Sequence, residues 1–106
     1  MKKMVFVRKR SDIRKKDFEN LWLKEHAEFF RNLPGVKRYV INLVVQPLEE
    51  EGMPYDGIAE LWYDNEDDFR RTENSEEFKK FLKENNPRFQ SVPDRRSVLV
   101  KEYIIK

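Results

Sequence analysis

Few residues of this sequence can do proton or nucleophilic chemistry, because its 106 residues include one histidine and no cysteine. The lack of cysteine excludes disulfides, thiolate metal ligands and cysteine nucleophiles, and a single histidine excludes a metal centre of several histidines. The imidazole of His26 has an ordinary pKa of about 6.5 and can give or take a proton near neutrality. The hydroxyl of Tyr39 can hydrogen-bond an oxygen of a ligand. His26 and Tyr39 are therefore the candidate catalytic residues, and no metal or other cofactor is expected.

The helix that carries His26 is predicted to end at Pro34-Gly35. Its apolar residues recur at a spacing of 3.6 and form one stripe: Phe18, Leu21, Trp22, Phe29 and Leu33. At about 100° per residue, His26 lies about 80° round the helix from Phe18 and points inward beside Phe29.

Tyr39 on the second predicted strand, and Leu61 and Tyr63 on the third, face the same interior space as His26. An apolar pocket with such polar tips fits a small carbonyl or hydroxyl compound, an aromatic one included. The expected ligand-binding residues are Trp22, Phe29, Leu61, Tyr63 and Arg88. Four arginines near strand ends could hold a carboxylate by bidentate pairing, namely Arg8, Arg88, Arg95 and Arg96. Of these four, Arg88 is the one included among the expected ligand-binding residues.

All of these residues also have a structural interpretation. A lone histidine within an apolar stripe is more often a core residue than a catalytic one, and Tyr39 can simply close the edge of the core. Arginines at strand ends are more often solvated or paired with acids, of which this chain has twenty. Both interpretations stay open on the sequence alone.

The elements that must position these residues follow the order β-α-β-β-α-β over one domain, residues 1–106. Alternation of apolar residues predicts strands at 3–10, 36–47, 56–64 and 97–106. The second helical region is predicted to begin at Asp64 or Asn65, to restart at Asn74 or Ser75, and to stop at Asn85-Asn86-Pro87. This order is that of the ferredoxin-like split βαβ fold, an α+β class with a four-stranded antiparallel sheet and helices on one face.

The other face of that sheet is too apolar for water. It carries Val36, Val40 and Val44 on the second strand, Ile58 and Trp62 on the third, and Val100 and Ile104 on the last. Polar residues interrupt it at regular places: Arg38, Asn42, Glu60 and Glu102. Face-to-face packing of two identical sheets would bury such a face, so the sequence predicts a homodimer with Arg38, Asn42, Glu60 and Trp62 at its interface.

Charge distribution leaves a further function class to weigh. Residues 1–24 are strongly basic and residues 49–69 acidic, although the net charge is only +2. Ferredoxin-like sheets can bind RNA, but Glu60 in mid-sheet repels phosphate, so no nucleic acid is expected. No apolar run approaches the roughly 20 residues of a membrane span, so a cytoplasmic protein without a membrane partner is expected.

Three stretches together resemble the EthD family, named for ethyl tert-butyl ether degradation. They are Phe18-x-x-x-Trp22-x-x-x-His26-Ala27, Leu33-Pro34-Gly35-Val36-x-Arg38-Tyr39-x-x-Asn42 and Asp56-Gly57-Ile58-Ala59-Glu60-Leu61-Trp62-Tyr63-Asp64. The resemblance implies a dimeric α+β barrel with a pocket between sheet and helices in each subunit.

The resemblance leaves two functions open. One is a cofactor-independent oxidoreductase of monooxygenase type, acting in ether degradation or related catabolism, with His26 as acid and base. The other is a non-catalytic accessory or ligand-binding dimer. Isomerase chemistry of the muconolactone type is not expected. The resemblance implies that those enzymes use a cysteine on the third strand, and Leu61 occupies the corresponding position here. Other α+β barrels bind haem. Haem binding by this chain would need His26 as the axial ligand.

Overall fold

The structure is a computed structural model that describes residues 1–106. Its strands are β1 (Lys2–Val7), β2 (Arg38–Leu43), β3 (Gly57–Trp62) and β4 (Arg96–Val100). They form one antiparallel sheet in the order β2-β3-β1-β4. This is the strand order of the ferredoxin-like fold, and it confirms the predicted fold class.

Helices connect β1 to β2 and β3 to β4. The first connection is a continuous helical stretch, made of α1 (Lys15–Asn20), a π-helical segment (Leu21–His26) and α2 (Ala27–Arg31). The second contains α3 (Glu66–Glu73), α4 (Glu76–Phe89) and a 3-10 turn (Val92–Asp94). Asn65 and Ser75 cap α3 and α4 as predicted, each accepting a backbone N–H with its side-chain oxygen.

The π-helical segment decides which side chains of the first helical stretch face the sheet. The backbone N–H of Ala27 donates to the carbonyl of Trp22, five residues back, so this turn is wider than an α-turn. In an α-helix every fourth residue advances by about 40°, and the wider turn offsets that drift. Phe18, Trp22, His26 and Phe30 are consequently all buried at a spacing of four. The predicted stripe named Phe29, which is only half-buried.

Helix α4 continues through Pro87, so the predicted stop at Asn85-Asn86-Pro87 is wrong. Proline has no N–H to donate and costs a helix interior about 3 kcal/mol. The additional turn buries Phe89 to 1% exposure, with its ring 5.9 Å from that of Trp22, and burial of such a side chain returns about 1.5–3 kcal/mol. The backbone N–H of Gln90 donates to Asn86 at 3.0 Å and closes the turn. Asn86 and Gln90 thereby face the interior.

Strand β4 ends at Val100, whereas the sequence predicts a strand to residue 106. The reason is the length of its neighbour: Val100 pairs with Lys2, at the very start of β1, and later residues have no strand of the same chain beside them. The segment 101–106 is exposed, including the apolar side chains of Tyr103, Ile104 and Ile105.

The pairing register gives the sheet two different faces. The inner face, which the helices cover, holds Lys3, Val5, Val7, Tyr39, Ile41, Leu43, Gly57, Ala59, Leu61, Ser97 and Leu99. The outer face holds Lys2, Met4, Phe6, Arg38, Val40, Asn42, Ile58, Glu60, Trp62, Arg96, Val98 and Val100. The core is one cluster of 11 buried hydrophobic residues between the inner face and the helices.

We predict that Gly57→Ala destabilises the protein by about 1–3 kcal/mol, the usual cost of overpacking. A Cβ at this position would lie 2.3 Å from Cζ3 and 2.7 Å from Cη2 of Trp22. The Trp22 ring is 1% exposed and packs against Phe18 and Phe89, so it cannot shift without disturbing the core. Urea denaturation of Gly57→Ala measures the cost, and repeating it in a Trp22→Phe background removes the clashing atoms. An equal cost in both backgrounds would contradict the packing argument.

Candidate functional site

A small cavity lies between the inner face of the sheet and the helices. Its volume is about 20 Å³, enough for one water molecule. Strand residues lining it are Lys3, Val5, Val7, Tyr39, Ala59 and Leu61. Helix and loop residues lining it are Trp22, Phe30, Phe78, Leu82, Asn86, Gln90 and Arg95. The walls are thus mainly apolar, with polar groups concentrated on the side of α4 and the loop that follows it.

Three polar atoms of the cavity lining are buried without a hydrogen-bond partner. They are Oδ1 of Asn86, Oε1 of Gln90 and Nε of Arg95. Asn86 is 6% and Gln90 3% exposed, so water does not solvate these side chains. A buried polar atom left unpaired costs about 1–3 kcal/mol, and such atoms are rare in folded proteins. The lining therefore holds two acceptors and one donor that are free to bind a ligand.

Lys3 also lines the cavity, but its charge is compensated. Its Nζ lies 2.5 Å from Glu73 Oε1, and the hydroxyl of Tyr63 donates to Glu73 Oε2 at 2.6 Å. Burial lowers the pKa of Lys3, and the Glu73 carboxylate opposes that effect. Burial and the same carboxylate raise the pKa of Tyr63, whose hydroxyl stays protonated. Glu73 thus binds both Lys3 and Tyr63, and it compensates the charge of Lys3.

Tyr39 is held in position by two contacts. Nε1 of Trp22 donates to its hydroxyl at 3.3 Å, and its ring stacks on that of Phe30 with centroids 4.7 Å apart and planes 4° from parallel. Burial raises the pKa of Tyr39 to about 12. Its hydroxyl is therefore protonated near neutrality and can donate a hydrogen bond into the cavity.

His26 is packed among phenylalanine rings beside the cavity. The centroids of Phe30, Phe81 and Phe89 lie 5.0–5.1 Å from that of the imidazole, and Nδ1 has no hydrogen-bond partner. Burial, and to a smaller extent the charge of Arg95, lowers the pKa of His26 to about 3. The imidazole is therefore neutral near pH 7. It does not line the cavity, although the Phe30 ring contacts both His26 and Tyr39.

The other residues expected at the site divide into two groups. Trp22 and Leu61 line the cavity as expected. Phe29 stacks instead on Phe81 at 3.9 Å, and Tyr63 binds Glu73. Arg88 is exposed and its guanidinium lies 3.4 Å from Glu25, away from the cavity.

The sequence did not point to Asn86 and Gln90, because they were assigned to the end of α4 and the loop behind it. A helix that ends before Pro87 leaves their side chains without a defined direction. Arg95 was among four arginines considered for binding a carboxylate, and the structure brings this one to the cavity. Phe30 was missed because the π turn shifts the buried line by one residue.

An open groove adjoins the cavity on the side of α4. The groove has a volume of about 410 Å³ and is lined by Leu82, Lys83, Asn86, Pro87, Val92 and Arg95. Leu82, Asn86 and Arg95 line both spaces and form the wall that separates them. A ligand in the groove would therefore contact Asn86 and Arg95, whereas Gln90 lines only the cavity.

The four residues expected at a dimer interface all lie on the outer face of the sheet. Asn42 donates to Glu60 at 3.0 Å, and Glu60 pairs with Lys2 at 2.6 Å. The guanidinium of Arg38 lies 4.8 Å from the Trp62 ring centroid, and Lys2 is as close to the same ring. The polar groups of this face thus satisfy one another within one chain, which leaves its apolar side chains free for contact.

Neither a metal site nor a membrane span is present in the structure. No group of three or more His, Cys, Asp or Glu side chains is placed to hold a metal ion. No helix combines the length and the apolar character needed to cross a bilayer.

Comparison with known proteins identifies a family and a fold. The sequence profile of the EthD domain matches residues 10–92. No curated protein matches the chain in sequence. Structural comparison finds an EthD family protein from Bacillus halodurans, at 16% identity and a TM-score of 0.67, with 95% of this chain and 99% of that chain covered.

Two further solved structures have the same fold. A dimeric ferredoxin-like protein of unknown function from Thermobifida fusca has 18% identity and a TM-score of 0.67, with 92% of this chain and 85% of that chain covered. The hydroxynitrile lyase of Passiflora edulis has 16% identity and a TM-score of 0.70, with coverages of 97% and 94%. Identities this low show a common fold and leave the chemistry of this chain to its own residues.

The buried imidazole predicts a pH dependence of stability. The pKa of His26 falls from 6.5 in the unfolded chain to about 3 in the folded one, so the folded protein binds this proton less readily. Its contribution is complete above pH 6.5 and is lost as the pH falls towards 3, by about 1.4 kcal/mol per pH unit. We expect the wild type to lose roughly 2 kcal/mol between pH 6.5 and 5, and His26→Leu to lose much less. Urea denaturation at several pH values measures both, and parallel profiles would refute the prediction.

Proposed function

This chain belongs to the EthD family, and from that premise we propose that it is a homodimer that binds a small organic compound between the sheet and the helices of each subunit. The proposal places the compound against the unpaired polar atoms of Asn86 and Gln90, at the boundary of the cavity and the groove. Tyr39 donates a hydrogen bond to it from the sheet side. Trp22 and Leu61 supply apolar walls.

The observation that carries this proposal is the pair of unsatisfied acceptors inside an apolar wall. Asn86 and Gln90 are buried, and their side-chain oxygens accept no hydrogen bond. Apolar residues of similar size at both positions would avoid the cost of desolvating these amides. A compound that donates to the two oxygens would offset that cost in the bound state only. Unmet hydrogen-bonding groups around a cavity are the expected signature of a binding site.

The cavity itself is too small for an organic molecule, so binding must combine it with the adjoining groove. Only Leu82, Asn86 and Arg95 separate the two spaces. Leu82 is half-buried, and the proposal requires a change of its rotamer that joins the two volumes. Binding sites that open by a local side-chain movement are common among ligand-binding proteins.

An enzyme on the same site is the second candidate function. It would be a cofactor-independent oxidoreductase of monooxygenase type, with His26 as acid and base and a role in catabolism such as ether degradation. The unpartnered Nδ1 of His26 favours it, because that atom is free to accept a proton. A pKa of about 3 opposes it, because so weak a base is a poor general base at pH 7. Ligand binding without turnover is therefore the better-supported function.

The outer face of the sheet supports the homodimer. Met4, Phe6, Val40 and Ile58 are only partly buried there, and Val98 is 47% exposed. An apolar sheet face of this kind is buried by face-to-face packing with a second sheet. The apolar segment around Ile104 and Ile105, which lacks a strand neighbour in its own chain, is available to the same partner. Two solved proteins of this fold are described as dimeric.

The first test is a thermal-shift screen with small aromatic aldehydes, phenols, ethers and carboxylates. A compound at about 100 times its dissociation constant stabilises the protein by ~2.7 kcal/mol, or roughly 10 °C in Tm. We expect a compound that stabilises the wild type to lose most of this effect on the double variant Asn86→Leu and Gln90→Leu. Arg71→Met, which changes an exposed side chain of α3, is the control and should keep the effect. Equal shifts in the wild type and the double variant would contradict the proposed site.

The second test concerns the dimer. We predict that Val98→Asp converts it into a monomer at micromolar concentration, because a carboxylate would be buried without a partner at the interface. Val92→Asp is a matched control, since Val92 is 46% exposed but lies in the loop after α4. Sedimentation velocity measures both. A monomeric wild type, or a dimer that survives Val98→Asp, would refute packing through the outer face.

A further inference from the structure

We propose that the compound bound at this site is a small organic anion, held by the guanidinium of Arg95 in the wall between cavity and groove. This inference rests on the proposed function, because it specifies the ligand of that same site. It requires the ligand to carry a negative charge, which the unpaired amides of Asn86 and Gln90 alone do not require.

Arg95 is half-buried and has no carboxylate in contact, whereas the other arginines without one, Arg8, Arg38 and Arg96, are exposed to solvent. Lys2 pairs with Glu60 and with Glu102 at 2.6 and 2.7 Å, and Lys3 pairs with Glu73 at 2.5 Å. Six arginines that are largely exposed each have a carboxylate partner: Arg10, Arg14, Arg31, Arg70, Arg71 and Arg88. The side chain of Arg95 makes neither a salt bridge nor a hydrogen bond, and its Nε is fully buried.

The charges around Arg95 leave its own charge uncompensated. Glu73 attracts it at longer range, but both oxygens of that carboxylate are already bound, one by Lys3 and the other by Tyr63. Tyr39 and His26 face the same region and are neutral near pH 7. A guanidinium stays protonated in proteins even where burial lowers its pKa. Lys3, Glu73 and Arg95 together therefore leave one net positive charge beside the cavity.

The groove on the other side of Arg95 is also free of negative charge. Its lining contains Lys83 and Arg95 and no acid. Two cations without a carboxylate attract an anion and repel a cation, and a planar guanidinium matches the two oxygens of a carboxylate. An anionic oxygen arriving through the groove would meet Arg95 before the apolar interior of the cavity.

The two acceptors beside Arg95 narrow the class of anion. Oδ1 of Asn86 and Oε1 of Gln90 need a donor, which a bare carboxylate lacks. A hydroxyl or N–H group on the same molecule would supply it. The structure therefore favours a small carboxylate that carries a hydroxyl group, with the carboxylate on Arg95 and the hydroxyl towards Asn86 or Gln90.

The test compares anions with neutral molecules of the same shape. The probe pairs are salicylate with salicylamide and lactate with lactamide, titrated calorimetrically into the full chain at pH 7. At least one anion should bind wild type roughly 10-fold or more tighter than its amide, since a hydrogen bond to a charged group is worth about 1.5–3 kcal/mol. Arg95→Met should remove this preference, Arg95→Lys should keep part of it, and Arg71→Met, at an exposed position of α3, should leave it unchanged.

The thermal stability of the unbound variants gives an independent readout. A structural role for Arg95 predicts that Arg95→Met lowers Tm. The binding role predicts a Tm equal to or above that of the wild type, because methionine keeps the apolar stem and removes an unpaired buried charge. A clear fall of Tm in Arg95→Met together with unchanged anion binding would overturn the inference.

The remaining outcomes separate this inference from the proposed function. Amides that bind as tightly as their anions, with binding lost in the Asn86 and Gln90 double variant, would overturn the anion and leave the site intact. A preference for anions that survives Arg95→Met would show that Arg95 is not the anchor. Binding of none of the four probes would overturn the inference, while the broader screen still decides whether the site binds any compound.

Discussion

The close packing of Trp22 on the inner face of the sheet is the contact on which the rest of this structure depends. The indole lies over Gly57, where a side chain would leave no room, and its Nε1 donates to Tyr39. Phe18 and Phe89 pack against the same ring from α1 and α4. One side chain therefore joins both helical layers to two strands. It also fixes one wall of the cavity, whose other members take their positions from it.

Strand β1 shows that the two faces of the sheet differ in how their charged groups are paired. The adjacent residues Lys2 and Lys3 point to opposite faces, and each is neutralised by carboxylates on its own side. On the outer face Glu60 is bound by Lys2 and Asn42, so the polar groups there are satisfied without a ligand. On the inner side of the sheet, by contrast, the charge of Arg95 is not neutralised by a carboxylate in contact. The outer face thus combines paired charges with partly exposed apolar side chains, whereas the inner side of the sheet adjoins polar atoms that have no partner.

The sequence predicted the element order, the sheet class and the residues of the outer face, because these follow from the alternation of apolar side chains along each strand. It placed Tyr39 and Leu61 at the cavity for the same reason, and Trp22 through the helical spacing of apolar residues in the first helix. It could not predict the π turn, because the 3.6-residue spacing of apolar residues assumes regular α-helical geometry. It also could not predict that α4 crosses Pro87, since the burial of Phe89 that offsets the cost is a tertiary contact. Asn86 and Gln90 were missed because proline was expected to end the helix before residue 87.

The two causes of the low pKa of His26 bear on which function the site supports. Burial is the larger cause and the charge of Arg95 the smaller one. An anion bound to Arg95 would cancel the smaller cause and leave the imidazole enclosed by its three phenylalanine neighbours. His26 would then remain neutral with the ligand in place, because desolvation still penalises its charged form. Proton transfer would also require the ligand to reach an imidazole that does not line the cavity, whereas binding at Arg95 requires movement only of the side chains that separate the groove from the cavity.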